Sequence, residues 1–217
     1  MNLIQKGSDK LQETFNIKNH IVEFLEDEHI YLCDGIILPS ITTILKVKFK
    51  NKYDGIPKKV LERASEKGTR VHKAIEDYEK YNIEDISCSE LIDWKFLKKA
   101  YKFECLDNEV PIVIFKDDKP VACGRLDLVL EEDEKIGIGD IKTTSTLDKE
   151  YLAYQLNLYR IGFQQCYEKN IEFLRGVHLK NGTRKYVEIP IREDMAIELL
   201  NEYLEREKER NDDLSII

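Results

Sequence analysis

Three stretches between residues 109 and 142 are rich in apolar residues with strand-like spacing: EVPIVIF (109–115), VACGRLDLVL (121–130) and KIGIGDIK (135–142). Each predicts a β-strand. Upstream, HIVEFLEDEHIYLCDGIIL (20–38) reads as short strands with turns at Glu26-Asp27 and Asp34-Gly35. Helical spacing governs most of the rest. SITTILKV follows Ser40, a suitable N-cap. Pro57 suits the first turn of a long helix, whose apolar stripe is Val60, Leu61, Ala64, Val71, Ala74, Ile75 and Tyr78. SELIDWKFLKKAYKFE would pack Leu91, Ile92, Trp94, Leu97, Ala100 and Tyr101. A helix spans about Asp148 to Glu168. A hairpin then turns at Asn181-Gly182, and a charged amphipathic helix follows. This order predicts an α/β (α+β) chain with a mixed central β-sheet flanked by helices, in a single domain over 1–217.

Two of the predicted strands carry aspartates that their pattern does not require. Asp127 sits inside LDLVL, and Asp140 interrupts IGIGDIK with Lys142 two residues on. A hairpin centred between Asp133 and Glu134 places Asp127 opposite Asp140, Arg125 opposite Lys142 and Val129 opposite Ile138. Asp127, Asp140 and Lys142 then share one face. Facing like charges destabilise a sheet, and burying them unpaired costs several kcal/mol each. A divalent cation with oxygen ligands, Mg²⁺ or Mn²⁺, removes that penalty. The alternative is a pair of exposed acids on a wet sheet face. Lys142 beside the ion could hold a water and offset charge growing on a phosphate.

Charge adds a partner class. The net charge is −8, which argues against indiscriminate binding to polyanions. Yet residues 46–73 hold ten Lys/Arg against three acids, enough for nucleic-acid contact at one face. A solvated lysine-rich helix gives the same composition. The cysteines at 33, 88, 105, 123 and 166 form no CxxC pair, so a disulfide framework and a structural zinc site are not expected. No apolar run approaches a membrane span, and MNLIQKGSDKLQETF lacks a signal-peptide core. The expectation is a cytoplasmic protein of a bacterial cell or phage-infected host, without membrane partners.

Asp127 followed by Asp140-Ile-Lys142 resembles the signature of the PD-(D/E)XK nuclease superfamily. The surroundings resemble the branch of RecB-type nuclease domains, lambda-type phage exonucleases and mitochondrial genome-maintenance exonucleases. GTRVHKAIEDY (68–78) is similar to that branch's GxxxH helix, with His72 as the histidine. GRLDLV (124–129) is similar to its G-R-x-D strand, and Gln155-x-x-x-Tyr159 to its QxxxY helix. LPSITTIL (38–45) resembles an upstream PSVT-type segment. The match runs from about residue 36 to 163. Leu126 stands at the signature proline, and only Cys166 lies after QxxxY, so no iron–sulphur cluster is expected.

The resemblance implies a restriction-endonuclease-like core and a Mg²⁺- or Mn²⁺-dependent DNA exonuclease of recombination and repair. A single-strand annealing or recombination protein would be its partner. Asp127 and Asp140 would bind the metal with the Ile141 carbonyl. Glu109 and His72 would support that ion or a second one. Lys142 would position the attacking water, and Gln155 and Tyr159 would contact substrate or brace the site. The basic segment 46–73 would guide the DNA backbone. Each added residue also has a plain structural role: His72 packed on its helix, Tyr159 in the core, Glu109 starting a strand. Rival functions are a structure-specific endonuclease or junction resolvase on the same fold, and a non-catalytic DNA-binding module.

Overall fold

Acidic and polar two-residue turns organise much of this chain. Lys18-Asn19, Asp117-Asp118 and Asp133-Glu134 each place both residues at positive φ, the geometry whose twist matches antiparallel strands. The computed structural model describes residues 12–214 apart from 26, 27, 29 and 181. The expected turn at Glu26-Asp27 and the first residue of the Asn181-Gly182 turn therefore lie outside the described residues.

Among the described residues, β1 (Gln12–Ile17), β2 (His20–Leu25), β3 (Ile30–Cys33) and β4 (Ile36–Leu38) form an antiparallel meander. Next come α1 (Ile41–Phe49), α2 (Lys58–Tyr81) and α3 (Ser89–Tyr101). Ser40 caps α1, accepting the Thr43 N–H at 3.2 Å. The second sheet takes β5 (Glu104–Lys116), β6 (Lys119–Glu132), β7 (Lys135–Lys142), β8 (Phe173–Lys180) and β9 (Thr183–Ile189) in that order. Only β7 and β8 run parallel within it. Their crossover is α4 (Lys149–Tyr167), capped by Asp148, and α5 (Glu193–Leu214) follows the sheet. The fold is α+β with a mixed central sheet flanked by helices, as the element order predicts.

One face of the large sheet packs Ile112, Ile114, Leu126 and Ile138 against α1, α4 and α5. The other packs Leu128, Leu130, Val177 and Leu179 against α2 and α3. The meander seals a third cluster, Val22, Phe24, Tyr31 and Cys33 against Val113 and Cys123. Cys33, Cys88 and Cys123 are small buried core residues. No described helix is long and apolar enough to cross a membrane.

The core departs from the predicted stripes in two helices. In α2 only Val71, Ala74 and Ile75 are buried. Val60 and Ala64 are exposed and Leu61 is half-buried, because the first half of the helix has no buried position against the sheet. In α3, Ile92, Ala100 and Tyr101 are exposed, whereas Glu90 and Asp93 are buried. Glu90 meets Lys67 at 2.6 Å and Asp93 meets Arg184 at 3.0 Å. Paired acids can occupy a buried helix face that hydropathy assigns to apolar residues.

Candidate metal centre and active site

The turn at Asp133-Glu134 sets the register that builds the site. The β6–β7 ladder runs from Glu132 opposite Lys135 to Leu128 opposite Gly139. Asp127 and Asp140 are the next residues in that register. The ladder ends at Leu128 and Gly139, so neither Asp127 with Asp140 nor Arg125 with Lys142 forms the backbone pair that the simple hairpin predicts. Just past its end, Asp127 Oδ2 accepts the Ile141 N–H at 2.7 Å. The carboxylate replaces a neighbouring strand's carbonyl and is fixed by doing so.

Two further groups converge on Asp127. The buried half of α2 presents His72, whose Nδ1 lies 3.7 Å from Asp127 Oδ2 and 3.5 Å from Glu109 Oε1. The opposite ring nitrogen, Nε2, donates to the Ile141 carbonyl at 3.1 Å. This bond turns Nδ1 toward the two carboxylates. Glu109 comes from inside β5 and does not start it. Its backbone is left-handed, with φ 53°. A non-glycine residue there costs about 1–3 kcal/mol and persists only where its surroundings hold it. Ligand atoms of His72, Glu109 and Asp127 all lie within 4.8 Å of one another.

Asp140 stands outside that trio. It is 1% exposed, and its Oδ2 lies 2.7 Å from Lys142 Nζ. The Lys142 ammonium also donates to Gln155 Oε1 on α4 at 3.0 Å. Gln155 thus braces Lys142 and adjoins the Tyr159 hydroxyl one turn along. Tyr159 is buried and also walls the cleft described below. A Cβ at Gly124 would fall 2.8 Å from both Ile41 Cγ1 and Tyr159 Cε1. The glycine of G-R-x-D therefore lets α1 and α4 close on β6. Gly68 answers no such need: a Cβ there would meet only Thr143 Oγ1, at 3.6 Å, and the residue lines the cleft.

Burial and neighbouring charges shift both Asp127 and His72 from their ordinary values. Burial, then the Asp140 charge, push the Asp127 carboxyl up to about 7. Burial opposes the charged form of His72, but Asp127 and Glu109 outweigh it and raise the imidazole to about 9. Two carboxylates, an imidazole and the adjacent Ile141 carbonyl make an oxygen-rich donor set, which fits Mg²⁺ or Mn²⁺ and not a thiophilic metal. The carbonyl expected among the ligands is already engaged by His72. Lys142 keeps its proton firmly, raised by Asp140 and Asp127 against the cost of burial.

A cleft of about 850 Å³ opens beside the trio, walled by Tyr31, Thr42, His72, Glu109, Arg125 and Asp127 among others. The basic segment lies along α1 and α2, but many of its charges are already paired. Lys48 meets Glu150, Lys52 meets Asp148, and Lys67 meets Glu90. Lys73 meets Glu76 and Asp77 while lining the cleft. Two residues escape sequence reading as part of the site. Arg125 enters there only as a motif letter and as the expected register partner of Lys142, although its position two before Asp127 puts it on the same strand face. Glu13 has no signal, because β1 is too polar to stand out as a strand.

No protein-family model matches the chain, and no curated protein matches it. Among solved structures 24 chains match. One, described as the crystal structure of SSO0001, is similar with a TM-score of 0.43 and 17% identity, over 76% of this chain and 73% of that one.

Proposed function

We propose that this chain is a divalent-metal-dependent nuclease that degrades linear DNA from an end. The observation that carries the proposal is the gathering of His72, Glu109 and Asp127 within 4.8 Å, next to a lysine held by Asp140 and Gln155. A bound Mg²⁺ or Mn²⁺ lowers the pKa of its water and polarises a phosphoryl oxygen. Glu109 and Asp127 would hold the ion, with His72 as a third donor through Nδ1. Lys142, fixed from two sides, orients the attacking water and offsets charge growing on the phosphate. Gln155 keeps the ammonium pointed, and Tyr159 shapes the cleft. The end-directed reading rests on the motif resemblance, and the meander lines the cleft through Glu13, Phe24 and Tyr31. Free cysteines are compatible with the cytoplasmic setting that a DNA-degrading activity beside recombination proteins would need.

The test is purified protein with end-labelled linear DNA and with covalently closed circles, in Mg²⁺ and in chelator. Linear DNA should shorten from its ends in Mg²⁺ alone, and closed circles should persist. Rapid linearisation of the circles would favour an endonuclease. No cleavage of either substrate in Mg²⁺ or Mn²⁺ would overturn the nuclease reading.

A further inference from the structure

Glu109 is the member of the trio that its own backbone does not naturally present. A strand residue with φ 53° needs outside support. One side chain grips it at two points. Arg125 Nε lies 3.3 Å from the Glu109 carbonyl oxygen and 3.4 Å from Glu109 Oε2. The guanidinium is in turn held from the meander. Its Nη2 meets Glu13 Oε2 at 2.8 Å, and its carbon lies 5.4 Å from the Phe24 ring centroid. The Arg125 side chain is 20% exposed, so it is fixed and still reaches the cleft.

We propose that Arg125 is a positioning residue: it holds the Glu109 backbone and carboxylate in the geometry that receives a divalent cation, and the meander holds Arg125. This rests on reading His72, Glu109 and Asp127 as a metal site. It gives the small sheet a role in the chemistry, because Glu13 and Phe24 hold Arg125. It also separates geometry from charge. Arg125 is a cation beside an acidic cluster, so by charge alone its removal would tighten cation binding. Loss of positioning must weaken it.

The experiment is calorimetric titration of Mn²⁺ into the full chain without DNA, at a temperature where each protein is folded. Wild type is compared with Arg125→Gln, Arg125→Lys, Glu109→Gln and the double variant Arg125→Gln/Glu109→Gln. Arg125→Gln should weaken Mn²⁺ about tenfold. Arg125→Lys keeps the charge but lacks the planar fork, and should weaken it about threefold. The double variant should bind no worse than Glu109→Gln, because Arg125 acts through Glu109. Unchanged or tighter binding in Arg125→Gln, or additive losses in the double variant, would overturn the proposal and leave the metal site standing. If Arg125→Gln does not fold, Arg125→Lys decides, and wild-type affinity there overturns the proposal. A wild type that binds no Mn²⁺ removes the metal site itself, and this proposal with it.

Discussion

Asp127 and Asp140 follow each other in one hairpin register, yet they end in opposite circumstances. Asp140 is 1% exposed and meets Lys142 at 2.7 Å. Asp127 shares its space with Glu109 and His72, and burial with the Asp140 charge pushes its carboxyl up to about 7. The first carboxylate is neutralised by the chain. The second is held in place by a backbone N–H and left to be neutralised by a proton or an ion. The difference separates two tasks that one aspartate pair could have shared: Asp140 meets the lysine, and Asp127 with Glu109 and His72 forms the group that the proposed cation would occupy.

Lys142→Ala should break the contrast most severely, because it leaves Asp140 buried without its partner. Removing one member of a buried pair costs about 3–5 kcal/mol. The melting temperature should fall steeply, and DNA cleavage should drop by orders of magnitude. Mn²⁺ should still raise the melting temperature, since His72, Glu109 and Asp127 remain. A variant with wild-type stability and rate would show that Asp140 and Lys142 are not a coupled unit.

The pH dependence of the metal-free protein follows from the other side. A carboxyl raised from its ordinary value to about 7 makes the folded state the stronger proton binder, so its effect is to lower stability as pH rises from about 4 to 7. The His72 contribution is full below about 6.5 and is lost as pH rises through about 9. Asp127→Asn removes the first change and reduces the second. Between pH 5 and 9 wild type should lose several degrees more in melting temperature than Asp127→Asn. Parallel curves would mean that Asp127 is an ordinary surface acid.

Glu109→Gly sharpens the same side with a smaller effect. Glycine reaches positive φ without strain, worth about 1 kcal/mol. The metal-free variant should melt at or above the wild-type temperature while its response to Mn²⁺ disappears. The smallest effects belong to the bracing residues. Gln155→Ala frees one side of Lys142 and should cost about tenfold in rate, the loss of one charge-assisted hydrogen bond. Tyr159→Phe should cost a few-fold at most and leave the fold intact. Full activity with early melting in both would make them core residues only.

Much of this arrangement is legible in the sequence because its pieces are local. Apolar runs mark β5 to β9, and the acidic two-residue turn sets the β6–β7 ladder, which ends one residue short of Asp127 and Asp140. The QxxxY spacing puts Gln155 and Tyr159 on one helix face, where Gln155 turns out to hold Lys142. What escapes is burial achieved by pairing and geometry achieved by strain. Glu90 and Asp93 look like solvated helix positions until Lys67 and Arg184 are seen against them. The left-handed backbone of Glu109 has no composition signal, since neither glycine nor asparagine marks it. Glu13 reaches Arg125 across more than a hundred residues, from a strand whose polar sequence hides it. The α2 stripe misleads for the opposite reason: Val60 and Leu61 keep helical spacing on the half of the helix that has no buried position.

The most direct test is the change in melting temperature that Mn²⁺ produces in wild type and in Asp127→Asn. At a hundredfold excess over its dissociation constant a bound ion contributes about 2.7 kcal/mol. Wild type should therefore melt several degrees higher with Mn²⁺, and Asp127→Asn should show little or no shift. No shift in wild type, or an equal shift in both proteins, would contradict a divalent cation held by His72, Glu109 and Asp127.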